Sequence, residues 1–133
     1  MKKGKIFILS GPSGSGKTTL YKKIIQNKKL KNIIRKTVSV TTRSRRTGER
    51  DGRDYYFISE KKFLYKKKAG HFLESAKVFN NHYGTPLKEV RNILKSGRSV
   101  LLCIDVKGAK EVVSCFPEAV TVFVNTPTFS ILK

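Results

Sequence analysis

Apolar residues come in short runs separated by polar, glycine-containing breaks, and the period of each run predicts its element. Ile6-Phe7-Ile8-Leu9 predicts a strand over residues 5–10, and Leu20, Ile24 and Ile25 place one apolar face on a helix over 17–26. Residues 27–36 read as a polar, basic connection. Thr37-Val38-Ser39-Val40 is β-branched and predicts a strand stopping at Thr41-Thr42-Arg43. Residues 44–54 hold no aliphatic side chain and read as an exposed, charged loop with turns at Thr47-Gly48 and Asp51-Gly52. Tyr55-Tyr56-Phe57-Ile58 returns to strand, Ser59 caps a short helix carrying Phe63 and Leu64, and Gly70 ends it. Residues 72–79 predict another strand. Thr85-Pro86 signals a helix start, with Leu87, Val90, Ile93 and Leu94 as its buried face before Gly97. Val100-Leu101-Leu102-Cys103-Ile104 reads as a central parallel strand covered on both faces. A helix around 110–115 and a strand over 120–124 complete the alternation. Asn125-Thr126-Pro127-Thr128 then reads as a strand exit and a helix start with less than two turns left.

Strands alternating with helices argue for an α/β fold, a three-layer sheet with right-handed crossovers. Residues 1–36 and 86–133 are expected to form a discontinuous core. Residues 37–85, richer in strand and loop, are expected to form a mixed-β insertion over the carboxyl edge of the parallel sheet, where open α/β sheets bind ligands.

Composition bounds the function. A chain of 133 residues makes one modest domain, or one with a small insertion. No apolar stretch approaches the ~18 residues of a membrane span, and the start leaves no room for a signal peptide, so a soluble, cytoplasmic protein is expected. Cys103 and Cys115 have no disulfide or zinc spacing and are expected as buried free thiols. The outlier is charge: 29 basic against 9 acidic residues give +20. Lysine pairs and triplets are scattered over several elements without an aromatic-interleaved stripe, which reads as solvated faces and argues against a specific nucleic-acid partner. Arg43, Arg45, Arg46, Arg50 and Arg53 are concentrated in one loop instead.

Two sets of residues carry chemistry. Gly11-Pro12-Ser13-Gly14-Ser15-Gly16-Lys17-Thr18, directly after the first strand, is a complete phosphate-binding loop. Its glycines let backbone N–H groups converge on phosphate oxygens, Lys17 adds a cation for the β- and γ-phosphates, and the Thr18 hydroxyl suits Mg²⁺. With Thr19 beside them, these residues are the expected nucleoside triphosphate site, which the resemblance given below assigns to ATP. In the second set, Arg43 and Arg46 could present two guanidinium forks to one phosphate, while Arg50 and Arg53 fit a flexible basic loop. Tyr55 and Tyr83 fit core aromatics or neutral donors to that phosphate equally well. Glu74 is either on a solvent face or aimed into a pocket where it must be paired.

These stretches, together with Ser39-Val40-Thr41-Thr42-Arg43, Gly48-Glu49, Asp54-Tyr55-Tyr56-Phe57, Phe72-Leu73-Glu74-Ser75-Ala76, Asn81-His82-Tyr83-Gly84-Thr85 and Asp105-Val106-Lys107-Gly108, resemble guanylate kinases in order along essentially the whole chain. The resemblance implies the P-loop nucleoside monophosphate kinase fold and Mg²⁺-dependent phosphorylation of GMP and dGMP by ATP. It implies that Arg43, Arg46, Tyr55 and Tyr83 grip the GMP phosphate, that Ser39, Glu74, Thr85 and Asp105 read guanine, and that Lys17 and Arg46 serve catalysis. Chemistry agrees: a carboxylate can accept from guanine N1–H and its exocyclic amine, whereas adenine leaves it unpaired. Arg45 stands where relatives commonly have proline, and Cys103 where an acid is common. Against the family's length, the arginine-bearing lid and last helices are missing, which implies weak activity or none for these 133 residues. The alternatives are a non-catalytic guanylate kinase-like binding module, whose phosphate loop would be degraded, another small-molecule kinase, or a basic nucleic-acid-binding protein. Oligomeric state is left open by the residues.

Overall fold

The computed structural model describes residues 4–12 and 16–125. Its elements are β1 (Ile6–Ser10), α1 (Lys17–Gln26), β2 (Ile34–Lys36), β3 (Val40–Thr41), β4 (Tyr56–Phe57), α2 (Glu60–Lys68), β5 (Phe72–Val78), β6 (Asn81–Pro86), α3 (Leu87–Lys95), β7 (Ser99–Cys103), α4 (Val106–Cys115) and β8 (Val120–Phe123). They divide into two compact units, residues 1–36 with 93–133, and residues 37–92. No helix among the described residues is long and apolar enough to cross a membrane.

The first unit is built on a parallel sheet of order β2-β7-β1-β8. The two inner strands carry its core. Ile6, Ile8 and Leu9 pack with Val100, Leu101 and Leu102 at 4% exposure or less, beside buried Ala109 and Val112 of α4. An uninterrupted apolar run is what a parallel strand covered on both faces requires, so β7 sits where the pattern places it. The edges differ. β2 lies in the stretch expected to be a polar connection; pairing by backbone alone lets an edge strand carry Arg35 and Lys36 outward. At the other edge, Val120, Val122 and Phe123 are 38%, 45% and 58% exposed.

Three further expectations change in this unit. No α1 residue is fully buried and Leu20 is exposed, so the apolar face of that helix is only half covered. Cys103 is half-buried and Cys115 exposed, both as free thiols, so neither is enclosed as expected. The fourth helix also starts earlier than residue 110, because the Asp105 carboxylate caps it by accepting the Gly108 N–H at 2.7 Å.

The second unit holds a mixed sheet of order β4-β3-β6-β5, with β3 parallel to β4 and antiparallel to β6. β5 and β6 form a hairpin whose turn residues Phe79 and Asn80 both have positive φ, as a tight two-residue hairpin turn demands. Ser59 caps α2 by accepting from the Lys62 N–H. That helix drives Phe63, fully buried, between the rings of Phe72 and His82 at 4.5 and 5.0 Å. The expected strand over 37–40 shrinks to β3, since the Val38 N–H is taken by the Glu89 carboxylate at 3.1 Å and leaves the ladder. The helix expected at Thr85-Pro86 begins one residue later. Pro86 instead ends β6, and α3 starts in this unit and finishes in the first.

Candidate functional site

In the first unit β1 delivers Gly11 at the sheet's carboxyl end, and α1 opens just beyond. Ser13, Gly14 and Ser15 lie outside the described residues, as does the helix start expected at Thr126-Pro127. Gly16 occupies the α1 cap with φ 91°, a left-handed conformation natural to glycine. No side chain caps that end and no acid sits in its first turn, so its N–H groups and positive pole suit an anion. The Lys17 ammonium donates to the Gly11 carbonyl at 2.8 Å, which holds it across the loop. Gly11 is buried, while Pro12, Thr18 and Thr19 are exposed.

Cys103, at the end of β7, joins this neighbourhood. Burial pushes its thiol upward, against the Lys17 charge and a hydrogen bond with Thr18. Tyr21 is pushed up to about 12, first by burial and then by Cys103. The carboxyl end of β7 therefore lies beside the start of α1, a neighbourhood invisible in residue spacing. Asp105, expected to read guanine, has its carboxylate engaged as the α4 cap. A cavity of about 280 Å³ lies elsewhere in this unit, between α4 and β8, and none of the expected site residues lines it.

In the second unit three expected residues meet. Arg43 follows β3, its N–H donating to Thr41 Oγ1 at 3.1 Å. Its guanidinium carbon stands 5.2 Å from the Tyr55 ring centre, and the rings of Tyr55 and Tyr83 meet edge to face at 6.0 Å. Nη1 donates to the Ser44 carbonyl at 3.0 Å and Nη2 to Glu49 at 2.8 Å. The Glu49 hydrogen bond raises the Arg43 pKa most, burial opposes it, and the Tyr83 and Tyr55 hydroxyls add to the rise. Reciprocally, Arg43 and then the Arg46 N–H hold the Glu49 carboxyl below the usual carboxylate range. The cluster is a cation flanked by two phenol hydroxyls, a set suited to a phosphate dianion.

Glu74 and Thr85 form a second pair across β5 and β6. The Thr85 hydroxyl donates to Glu74 Oε2 at 2.9 Å, with both residues buried. This places the carboxylate on the interior face of the hairpin. Gly84 keeps the same hairpin closed, because a Cβ there would lie 2.9 Å from the Phe72 ring. Ser39 is half-buried and uses its carbonyl to accept the Tyr56 N–H.

Arg46 stays exposed, its N–H donating to Glu49 at 2.8 Å. Arg45 is tied to the Glu49 carbonyl at 2.8 Å. Arg53 is more constrained than a flexible loop implies, with its guanidinium on Asp54 at 2.9 Å and on the Gly48 carbonyl at 2.9 Å. Thr41 and Thr42 were quoted within the motif but given no role, yet the Thr41 hydroxyl donates to the His82 carbonyl and Thr42 Oγ1 accepts the His82 N–H. They pin β6 beside Tyr83. The available signal was two adjacent hydroxyls at a strand end.

Comparison with known proteins gives the family. The guanylate kinase family model matches residues 3–133. The chain is similar to the guanylate kinase of Clostridioides difficile, 44% identical over 133 residues, all of this chain and 63% of that protein. It is similar to the guanylate kinase of Lactiplantibacillus plantarum at 44% over 132 residues, 99% of this chain and 63% of the relative. The crystal structure of guanylate kinase from Anaplasma phagocytophilum superposes with a TM-score of 0.73 at 37% identity, covering 92% of this chain and 60% of that one. The chain thus spans less than two thirds of the length of these relatives.

Proposed function

The chain belongs to the guanylate kinase family, and from that premise we propose that it serves Mg²⁺-dependent transfer of the ATP γ-phosphoryl group to GMP or dGMP, giving ADP and GDP or dGDP. The observation that carries this reading is one mixed sheet holding both a buried Glu74–Thr85 pair and an Arg43–Tyr55–Tyr83 cluster, the two chemistries needed for guanine and for its 5′-phosphate.

Residues 37–85 are the proposed acceptor-binding insertion, and 1–36 with 86–133 the nucleotide core. Arg43, Arg46, Tyr55 and Tyr83 bind the GMP phosphate; Ser39, Glu74, Thr85 and Asp105 address the base. Gly11, Pro12, Ser13, Gly14, Ser15, Gly16, Lys17, Thr18 and Thr19 bind the ATP phosphates. A GMP phosphate oxygen forms the new bond to Pγ as the bond from Pγ to the β–γ bridging oxygen breaks, and that oxygen leaves with the electron pair on ADP. No general base is needed, since the attacking oxygen is already anionic. Lys17 and Arg46 stabilise charge on the transferring group, and Lys17 exchanges its Gly11 carbonyl for phosphate oxygens.

The residues present fit Mg²⁺. Thr18, an exposed residue at the start of α1, offers a neutral hydroxyl oxygen. A small hard cation held chiefly by substrate phosphates and water suits such a donor set. Bound there, it neutralises the β- and γ-phosphate charge. A cytoplasmic location suits these substrates, and the scattered lysines are assigned to solvated faces.

Calorimetric titration with GMP, AMP and UMP, paired with a coupled ADP-release assay, tests the reading. GMP is expected to bind selectively, and whatever ADP release occurs, weak or strong, is expected to depend on GMP. Equal binding of AMP would overturn it, as would salt-sensitive binding to arbitrary DNA without any GMP effect on melting temperature.

A further inference from the structure

Glu49 is a carboxylate placed where a phosphate is to be gripped, which on charge alone is a disadvantage. Its bonding explains why it is there. Oε2 accepts from Arg43 Nη2 at 2.8 Å and Oε1 from the Arg46 N–H at 2.8 Å. Its own N–H donates to the Arg46 carbonyl at 3.0 Å, and its carbonyl accepts from Arg45 Nη1 at 2.8 Å. One residue therefore holds the Arg43 guanidinium by its carboxylate, the Arg45 guanidinium by its carbonyl, and the Arg46 backbone on both sides, on a loop whose long side chains would otherwise be mobile. We propose that Glu49 is a positioning residue of the acceptor-phosphate site, fixing the Arg43 guanidinium against Tyr55 and closing the 43–50 loop before any anion arrives.

The inference rests on the reading of Arg43, Tyr55 and Tyr83 as phosphate ligands. Arg43 commits one N–H of Nη1 to Ser44 and one of Nη2 to Glu49, leaving its other donors to the tyrosine hydroxyls and the incoming phosphate. A planar fork held in one orientation loses less freedom on binding than a free one. Glu49 remains charged at neutral pH because Arg43 and the Arg46 N–H favour its ionised form. Positioning and charge repulsion make opposite predictions for its removal, which decides between them.

Calorimetry on the full chain, wild type, Glu49→Ala and Glu49→Gln, with GMP and with guanosine, reads that sign. Glu49→Ala is expected to weaken GMP about tenfold, the scale of one lost charge-assisted contact, and to leave guanosine unchanged. Glu49→Gln is expected to fall between, since its amide oxygen can still accept the Arg46 N–H. Unchanged or tighter GMP binding by Glu49→Ala would overturn the proposal, and so would equal weakening of GMP and guanosine, the mark of a purely structural role. If Glu49→Ala fails to fold, Glu49→Gln decides by the same criterion. Wild-type chain binding GMP no more tightly than guanosine would instead refute the phosphate-site reading itself, and the inference with it.

Discussion

The phosphate loop of the first unit and the arginine loop of the second are both suited to anions, and they are built from different material. Around Gly16 and Lys17 the binding groups are chiefly backbone N–H groups at an uncapped helix end, with one ammonium folded onto a carbonyl. Around Arg43 they are side chains, drawn from the loop between β3 and β4 and from β6, and held by a carboxylate and two rings. A backbone site depends on local conformation and can be carried by one short segment. A side-chain site depends on the packing that sets each element, so it inherits the stability of its unit.

Four experiments break or sharpen that contrast. Phe63→Ala removes the ring stacked on Phe72 and His82 and should cost about 3–5 kcal/mol in chemical denaturation, with loss of GMP binding. If GMP binding survives at full strength, the side-chain site does not depend on this core. Lys17→Ala should weaken ATP by about 1.5–3 kcal/mol, roughly 10- to 150-fold, and leave GMP affinity alone, as separate titrations would show. Glu74→Gln should erode the preference for GMP over AMP by about 1–3 kcal/mol, measured as the ratio of the two dissociation constants.

The smallest effect is a pH dependence. The Glu49 carboxyl is lowered from its ordinary value of 4.5, so its pairing stabilises fully above that value and is lost as pH falls through the lower folded one. The stability difference between wild type and Glu49→Gln should hold constant from about pH 7 to about pH 4.5 and close below, in urea titrations across that range. A difference that grows on acidification would contradict the sign.

The first region was the more legible from sequence. β1, the glycine loop and α1 are contiguous, and their periods and turn residues are local properties, so spacing alone located them. β7 was equally plain, because an inner parallel strand needs an unbroken apolar run. β2 was hidden: at an edge, Ile34-Arg35-Lys36 needs only backbone pairing. The strand at 37–40 was overstated because Glu89, 51 residues from Val38, takes the N–H that a ladder would use. In the arginine loop the residue types were legible, and the resemblance to guanylate kinases gave them roles. The bonding of Glu49 to three arginines was not, since spacing says nothing about which carboxylate oxygen meets which donor.

By itself, then, the sequence determined the α/β alternation and supplied the glycine motif and the arginine, tyrosine and glutamate set as candidates, because each follows from short-range periodicity or a contiguous motif. Tertiary structure alone decided that Arg43 meets the Tyr55 ring and Tyr55 the ring of Tyr83, that Thr85 satisfies Glu74, and that β7 ends beside α1. Those meetings depend on strand register. A one-residue slip in the β5–β6 pairing would turn Glu74 to the opposite face of the sheet.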